Sequence, residues 1–381
     1  MKLAHIADLH IGKKLNDFSL IDNQCDVLRQ IVDWVNRLNL DGIMIAGDVY
    51  DTTFPTIEAV ELLDEFLTEL SELKVHIFII GGNHDSQQRL SFGARILEKS
   101  AIHISSVFNG NVDKVVLSDE YGDLNFYLLP YIRPIHVRKA YEDFKGEGFT
   151  EAIRYVLNKI NPDISKRNIL ICHQFVTGAA TSESEEIYVG GSENVDFTLF
   201  DKFDYVALGH LHKPQFVGRE TVRYAGTPLK YSFSEAGHTK TMTVVDIREK
   251  GNIHIEEMPL EAKQDLFELK GSFTQLTSPE FRETVDRNAF IRVTLTDETI
   301  ISNGISELRK YYPYILSLGY DNSMTRHDSK VKAANISESL NPLKMIEDLF
   351  RGQNNREMNE AERKIVTELV DRVWRHEYEA D

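Results

Sequence analysis

Five short stretches deliver Asp, Asn and His directly after apolar runs of strand length. Asp8 and His10 follow Leu3–Ala7, Asp48 follows Ile43–Ala46, and Asn83, His84 and Asp85 follow Val75–Ile80. His173 ends the run Asn168–Cys172, and His210 and His212 follow Tyr205–Leu208. Short apolar runs bounded by turn residues read as buried strands, and open α/β sheets place their ligand sites at the carboxyl ends of strands. In Asp8-x-His10 and His210-x-His212 the two-residue alternation of a strand aims both side chains the same way. Carboxylate, amide and imidazole without thiolate make a ligand set compatible with Mn, Fe, Zn or Co. There are enough of them for two ions, and Asp48 is the natural bridge, since a shared anion offsets the repulsion between two cations. Each stretch alone is weak: Gly-Asp often marks a turn, and His5, His76, His103, His238 and His254 read as ordinary core or surface histidines. Together, in one order from Asp8 to His212, they point to a dinuclear metal centre.

Positioning such residues requires alternating strands and helices, and the pattern supplies them from Met1 to about Val245. Helices are expected at Ile21–Leu38, at Thr56–Leu73 with Val60, Leu63, Phe66, Leu67 and Leu70 on one face, and at Gln88–Glu98. Strands follow at Ile102–Ser105, Lys114–Leu117 and Asn125–Leu129, then helices at Ile135–Phe144 and Thr150–Ile160. The pair Val222–Ala225 and Met242–Ile247 closes an α/β region of two sheets with outer helices. Thr181–Val195 is a long Ser-, Glu- and Gly-rich loop between two histidine-bearing strands, and such loops tend to be functional. Beyond Leu260 a smaller unit alternates strands at Leu266–Leu269, Phe290–Thr296 and Ile315–Leu318 with helices at Pro279–Arg287 and Gly304–Tyr311. Residues 326–339 read as a polar linker. The end is an amphipathic helical pair: Leu343, Ile346, Leu349 and Phe350 on one helix, Ile365, Leu369, Val370, Val373 and Trp374 on the other. Asn359 and Glu362 resemble a capping box for the second.

At 381 residues two or three domains are expected, and 42% hydrophobic residues give ample cores. No apolar run reaches the roughly 20 residues that span a bilayer, and the N-terminus enters a strand at once, without a signal peptide. Two cysteines, Cys25 and Cys172, cannot build a disulfide framework. A cytoplasmic protein is expected. The net charge of −17 argues against holding nucleic acid by a broad basic surface. It leaves room for a metal-dependent enzyme acting on a polyanion, because bound ions bring their own positive charge.

The set DxH, GD, GNHD, H and GHxH resembles the calcineurin-like metallophosphoesterases. Gly47-Asp48-Val49-Tyr50-Asp51-Thr52, Leu129-Pro130-Tyr131-Ile132-Arg133-Pro134, Glu186-Ile187-Tyr188-Val189-Gly190-Gly191 and Ala207-Leu208-Gly209-His210-Leu211-His212-Lys213 narrow the resemblance to the SbcD-type nuclease subunits of bacteria. That resemblance implies a metallophosphoesterase β-sandwich flanked by helices (1–260), a small α/β capping, DNA-binding domain (261–325), a linker (326–339) and a helical ATPase-binding motif (340–381). It implies that Asp8, His10, Asp48 and His212 bind one metal and Asp48, Asn83, His173 and His210 the other. His84 would be the catalytic histidine outside the ligand set, Asp85 its support, and Mn2+ the metal. Also implied are DNA as substrate, an SbcC-like SMC-type ATPase as partner, a homodimer within a heterotetramer, and a cytoplasmic, nucleoid-associated location. Helices Thr56–Leu73 and Gln88–Glu98 are candidates for the dimer face. Archaeal and eukaryotic relatives carry a histidine where this chain has Asp51, so an orienting role is all that is expected there. Two rival readings are a phosphoesterase for nucleotides or phosphoproteins, which would need neither capping domain nor tail, and a non-catalytic scaffold, which would be free to lose ligands.

Overall fold

The computed structural model describes residues 1–185, 194–323, 325, 343, 346–347, 350–351 and 356–367. The stretch 186–191, the linker 326–339, and Leu349, Leu369, Val370, Val373 and Trp374 lie outside the described residues.

The chain opens with β1 (Lys2–Ile6), a short hairpin of β2 (Lys14–Leu15) and β3 (Phe18–Ser19), then β4 (Gly42–Ala46), β5 (His76–Ile80) and β6 (Ile102–Ser105). After these come β7 (Asp113–Asp119), β8 (Gly122–Leu129), β9 (Arg167–His173) and β10 (Tyr205–Gly209). β11 (Gln215–Val217), β12 (Arg219–Tyr224), β13 (Thr241–Ile247) and β14 (Ile253–Pro259) follow. Two six-stranded sheets result, ordered β14-β13-β1-β4-β5-β6 and β11-β12-β10-β9-β8-β7. β1, β4, β5 and β6 run parallel, as do β8, β9, β10 and β12. Parallel strands covered on both faces must be apolar throughout, and β4, for example, is buried at all of its positions. The register pairs Ile6 with Ile45, Ala46 with Ile80, and Gly209 with His173. Strand ends that stop level bring the motifs that follow them to one rim.

The sheets pack face to face through Leu3, Met44, Phe78 and Ile80 on one side and Phe126, Ile169, Ile171 and Ala207 on the other. Phe78 and Phe126 stack there at 4.2 Å between ring centroids. Outside the first sheet lie α1 (Ile21–Arg37) and α2 (Ile57–Glu72), whose Val27, Ile31, Leu63 and Phe66 share a core with Ile43, Ile45 and Ile77. Thr56 caps α2 by accepting from the Ala59 N–H at 3.3 Å. Past β5 come two short helices, α3 (Gln87–Leu90) and α4 (Ala94–Leu97). Outside the second sheet lie α5 (Pro134–Ala140) and α6 (Phe149–Ile160), packed through Val137, Ile153 and Val156 on Leu170, Cys172 and Val206. The two sheets with outer helices are as the sequence implies, and Cys172 is a core residue on the face opposite His173.

Differences from the sequence reading have local causes. The expected helix Gln88–Glu98 is broken into α3 and α4, because Gly93 between them takes φ 76°, a left-handed conformation that ends a helix. Val60, expected on the buried face of α2, is exposed. The helix expected at Pro279–Arg287 stops at Arg282. β14 has no counterpart among the expected strands: its alternating half-buried and exposed positions carry Glu256 and Glu257.

Contacts divide the chain into two compact units: Met1–Lys270 with Thr274–Val293 and Asn303–Leu318, and Gly271–Phe273 with Thr294–Ser302 and Gly319–Asp381. A three-stranded sheet orders β15 (Leu266–Gly271), β16 (Phe290–Leu295) and β17 (Ile315–Tyr320). Within the second unit Asn359 and Glu362 exchange the two capping-box hydrogen bonds at 2.9 Å each, opening helical residues 360–367. No helix among the described residues is long and apolar enough to cross a membrane.

The inter-sheet core holds the strand ends in register, so its loss should be felt globally. Phe78→Ala removes a fully buried ring and should cost about 3–5 kcal/mol, read as a lowered urea midpoint of the metal-free chain. A midpoint within error of wild type would show that the sheets collapse onto the gap.

Candidate metal centre

Four of the motif residues sit in left-handed backbone: Asp8 (φ 53°), His10 (φ 44°), Asp48 (φ 47°) and His210 (φ 103°). For residues other than glycine each such conformation costs about 1–3 kcal/mol and persists only where the surroundings over-determine it. Here the loops tie one another down. Asp8 N–H donates to Gly47 O at 3.0 Å and His10 N–H to Asp48 O at 2.9 Å. His210 N–H donates to both Asp8 carboxylate oxygens, at 2.9 and 3.1 Å, and His84 N–H to Asp48 Oδ1 at 2.9 Å. Two glycines are demanded by close approach. A Cβ on Gly82 would lie 2.1 Å from Asp48 Oδ1, and one on Gly209 would lie 1.9 Å from Ala46 O.

The side chains thus delivered converge. Asp8, His10 and His212 offer ligand atoms within 4.8 Å of one another, as do Asp8, Asp48 and His173, and His10, Asp48 and His84. Asp48 Oδ2 lies 3.3 Å from His173 Nε2 and 3.8 Å from His10 Nε2. Asn83 Oδ1 lies 3.0 Å from His173 Nε2 and 3.1 Å from His210 Nδ1. Asp8, His10, Asp48, His173, His210 and His212 are all buried. His84 is half-buried, and its Nδ1 donates to the Asp51 carbonyl at 2.9 Å, since a carbonyl can only accept. The Asp85 carboxylate is turned away from the cluster and accepts from three backbone N–H groups: Val49 and Gly82 on Oδ2, Tyr50 on Oδ1. It clasps the Gly-Asp turn to the GNHD turn.

Ring nitrogens report what the cluster is built to hold. His173 Nδ1 donates to Ala46 O at 2.8 Å, which leaves Nε2 to point at Asp48 and Asn83. His10 Nε2 and His212 Nε2 face each other at 3.3 Å. Two ring lone pairs at that distance repel unless a cation or a proton lies between them. His210 Nε2 is buried without a hydrogen-bond partner among the described residues. At His173 and His212 one ring nitrogen is hydrogen-bonded outward and the other faces the cluster, the usual arrangement of metal-ligating histidines, so the residues present fit a metal centre.

Electrostatics agree. Burial pushes His10, His210 and His212 below the usual histidine range, His210 to about 3 and His212 to about 4, so these rings are neutral as ligands must be. His173 is the exception. Burial opposes its charge, but Asp48 and Asp8 beside it hold it up at about 9. Burial also opposes charge on Asp48, and His173 and His10 outweigh it, keeping Asp48 well below the carboxylate range. Burial raises Asp8 well above that range.

Sequence reasoning found the residues that converge and missed those that hold them. Gln24 of α1 donates from Nε2 to His10 O at 2.7 Å and to Leu9 O at 3.2 Å. The Tyr231 hydroxyl also donates to Leu9 O. Ser184, Glu185, Glu235 and Lys240 gather behind His212. None of these carries a motif, and only the place of Ser184 and Glu185 in the long polar loop Thr181–Val195 hinted at a role.

Residues 1–214 match the family model of the calcineurin-like phosphoesterases. Over 374 residues, 97% of this chain and 98% of the relative, the sequence is 30% identical to the SbcD subunit of the SbcCD nuclease from Staphylococcus epidermidis. The chain belongs to the SbcD family of calcineurin-like phosphoesterases. Residues 262–354 match a model described as the type 5 capsule protein repressor C-terminal domain. Similar solved structures include a dimetal phosphatase from Danio rerio, 12% identical with a TM-score of 0.43, covering 69% of this chain and 97% of that one. A protein from Thermus thermophilus is 11% identical with a TM-score of 0.40, covering 67% and 98%. As an SbcD-family member the chain is a metal-dependent phosphoesterase homologous to nucleases, and the converging cluster is the candidate site for its divalent metals.

Held charged by Asp48 and Asp8 in the metal-free protein, His173 would, as an expected ligand, have to give up its Nε2 proton to offer a lone pair. Metal loading would then expel that proton. At pH 7, below about 9, His173 is protonated, so affinity should rise with pH by about tenfold per unit for each proton released and level off above that value. Calorimetric titration in buffers of different ionisation enthalpy counts the protons. Binding with no proton release at pH 7 would contradict this picture.

Proposed function

We propose that the chain is the Mn2+-dependent nuclease subunit of a DNA-processing complex, acting as a duplex-end exonuclease and as an endonuclease on single strands and hairpins. Its partner would be an SbcC-like SMC-type ATPase, and its setting the repair and recombination of DNA in the cytoplasm, at the nucleoid. The observation that carries the reading is the convergence of Asp8, His10, Asp48, His173 and His212, with Asn83 beside His173 and His210, in a chain that matches a nuclease subunit along nearly its entire length. The ligand assignment is Asp8, His10, Asp48 and His212 for one ion and Asp48, Asn83, His173 and His210 for the other. The organisation is a phosphoesterase domain (1–260), a capping domain (261–325), a linker (326–339) and a partner-binding helical motif (340–381).

When bound, the two ions activate a water and neutralise charge on the phosphate oxygens. The protein does the rest. Asp48 holds the two halves of the centre together, and Asp85 fixes the turns that carry Asp48, Asn83 and His84. With His84 Nδ1 committed to the Asp51 carbonyl, Nε2 is the ring atom left to exchange a proton with the leaving oxygen. The Asp51 carboxylate accepts from Lys13 Nζ at 2.7 Å and lies 3.4 Å from His10 Nδ1, so Asp51 meets a proposed ligand through its side chain and the proposed acid through its backbone carbonyl. A cavity of about 420 Å3 opens beside Asn83, lined also by Gln87, Gln88, Tyr131, Arg133 and His136. Its guanidinium and neutral donors suit the path of a phosphodiester strand. Phe54, Ile57, Val60, Phe92 and Ile96 are exposed on and beside α2 and α4, which supports the homodimer face in this region.

Two outcomes test the reading. His84→Gln should retain both metal ions and lose about 10²–10⁴-fold in DNA cleavage with Mn2+. Release of a metal ion in this variant would make His84 a ligand instead. A chain ending at Ser339 should keep its melting temperature and its Mn2+-dependent cutting of single-stranded DNA, and should no longer co-purify with the ATPase. A large drop in melting temperature with the ATPase still bound would show that the tail completes the fold.

A further inference from the structure

The elements behind His212 form a closed chain of hydrogen bonds that none of the sequence motifs includes. Ser184 Oγ lies 2.6 Å from His212 Nδ1 and 2.6 Å from Glu235 Oε1. Glu235 is fully buried, and its other oxygen accepts from Lys240 Nζ at 2.6 Å and from Thr227 Oγ1 at 3.1 Å. Lys240, itself buried, spends its other protons on Thr227 Oγ1 at 2.6 Å and the His212 carbonyl at 2.9 Å. Glu235 Oε1 accepts further from Ser232 Oγ and the Tyr231 N–H, at 3.1 and 3.3 Å. On the same side Glu185 Oε1 accepts from the His212 N–H at 2.6 Å.

The proton count within this chain has one solution. An ionised carboxylate paired with an ammonium can only accept, so the single hydroxyl proton of Ser184 goes to Glu235. Ser184 Oγ must then accept from His212, which places the ring proton on Nδ1. That leaves Nε2 as a lone pair, aimed at His10 Nε2 3.3 Å away. The imidazole is therefore preset in the tautomer and the orientation that coordination through Nε2 requires. A buried ion pair does this at a distance through a serine from the Thr181–Val195 loop.

We infer that Ser184 and Glu235, with Lys240 holding Glu235 charged, are positioning residues for His212, and that the loop bearing Ser184 and Glu185 is thereby tied to the loading of one metal ion and not the other. The inference rests on the reading of His212 as a ligand, and it adds a specific device for one half of the centre. His173 in the other half is held differently, by the backbone carbonyl of Ala46.

The test uses the full chain and Mn2+ alone. Ser184 is only partly buried, so Ser184→Ala leaves the Glu235–Lys240 pair intact. It should weaken one of two Mn2+ binding steps by about 10–100-fold in calorimetric titration, with the other step unchanged. The electron paramagnetic resonance spectrum at limiting Mn2+ should change from a coupled pair to a single ion. Ser184→Thr, which keeps the hydroxyl, should restore the wild-type titration. Glu235→Gln should weaken the same step as Ser184→Ala, and the melting temperature of metal-free Ser184→Ala should match wild type. His212→Ala is the control for the underlying reading: retention of both ions there would sink the ligand assignment, and the inference with it. If His212→Ala loses one ion while Ser184→Ala binds both as wild type does, the relay is overturned. It is equally overturned if Ser184→Ala weakens both steps alike or lowers the metal-free melting temperature.

Discussion

Two carboxylates, Asp8 and Asp48, are buried side by side at the junction of two sheets, and the rest of the structure answers to that fact. Burying a charge is costly unless it is paired and hydrogen-bonded. Asp8 is met by the His210 N–H on both oxygens, and Asp48 by the His84 N–H and the His173 ring. Those partners come from the opposite sheet and from neighbouring loops, so the sheets must stop level and face to face. The left-handed backbone at Asp8, His10, Asp48 and His210 follows from the same demand, because each chain must turn sharply at a strand end to bring its side chain inward. Gly82 and Gly209 stand where Asp48 and Ala46 approach too closely for any Cβ. Strain in the loops and pairing of the buried charges are two sides of one arrangement.

Three consecutive residues show how finely this arrangement divides labour. Asn83 turns its oxygen toward His173 and His210, His84 bonds the Asp51 carbonyl, and Asp85 turns back to gather three backbone N–H groups. Asp85 is also pushed up to about 6 by burial first and the charge of Asp48 second, against the pull of those N–H groups. A carboxylate so committed to main chain acts through geometry. It keeps the Gly-Asp turn and the GNHD turn at a fixed spacing, and that spacing sets the separation of Asp48 from His84.

The converging residues were legible in the sequence because their signal is local. An apolar run predicts a strand, its end predicts a rim, and a period of two predicts that Asp8 and His10 share a direction. The sheets and outer helices were legible for the same reason. What escaped has no local signal. Glu235 and Lys240 lie in an irregular segment after β12, Ser184 in a polar loop, and only the fold brings them to His212. Gln24 looks like any polar residue of an amphipathic helix until its amide is seen on the His10 carbonyl. The break between α3 and α4 turns on one backbone angle at Gly93, and propensity alone does not fix such an angle. β14 pairs with β13 over its whole length, yet Glu256 and Glu257 stand together in it and none of its positions is fully buried, so its apolar signal is weak.

A net charge of −17 sets the terms on which such a protein meets a polyanion. Charges separated by more than the Debye length, about 8 Å at physiological ionic strength, are largely screened at an exposed surface. What decides binding is therefore the charge close to the reacting phosphate, not the sum over the chain. Near the centre the acidic residues are already spoken for: Asp8, Asp48 and Asp85 by the hydrogen bonds above, Asp51 by Lys13, and Glu235 by Lys240. Arg133 lines the adjoining cavity and adds a cation on the approach. Divalent ions in the centre would reverse its sign locally, so that a phosphate is drawn to the loaded site. Grip along the length of a nucleic acid is then a task suited to the partner chain proposed above.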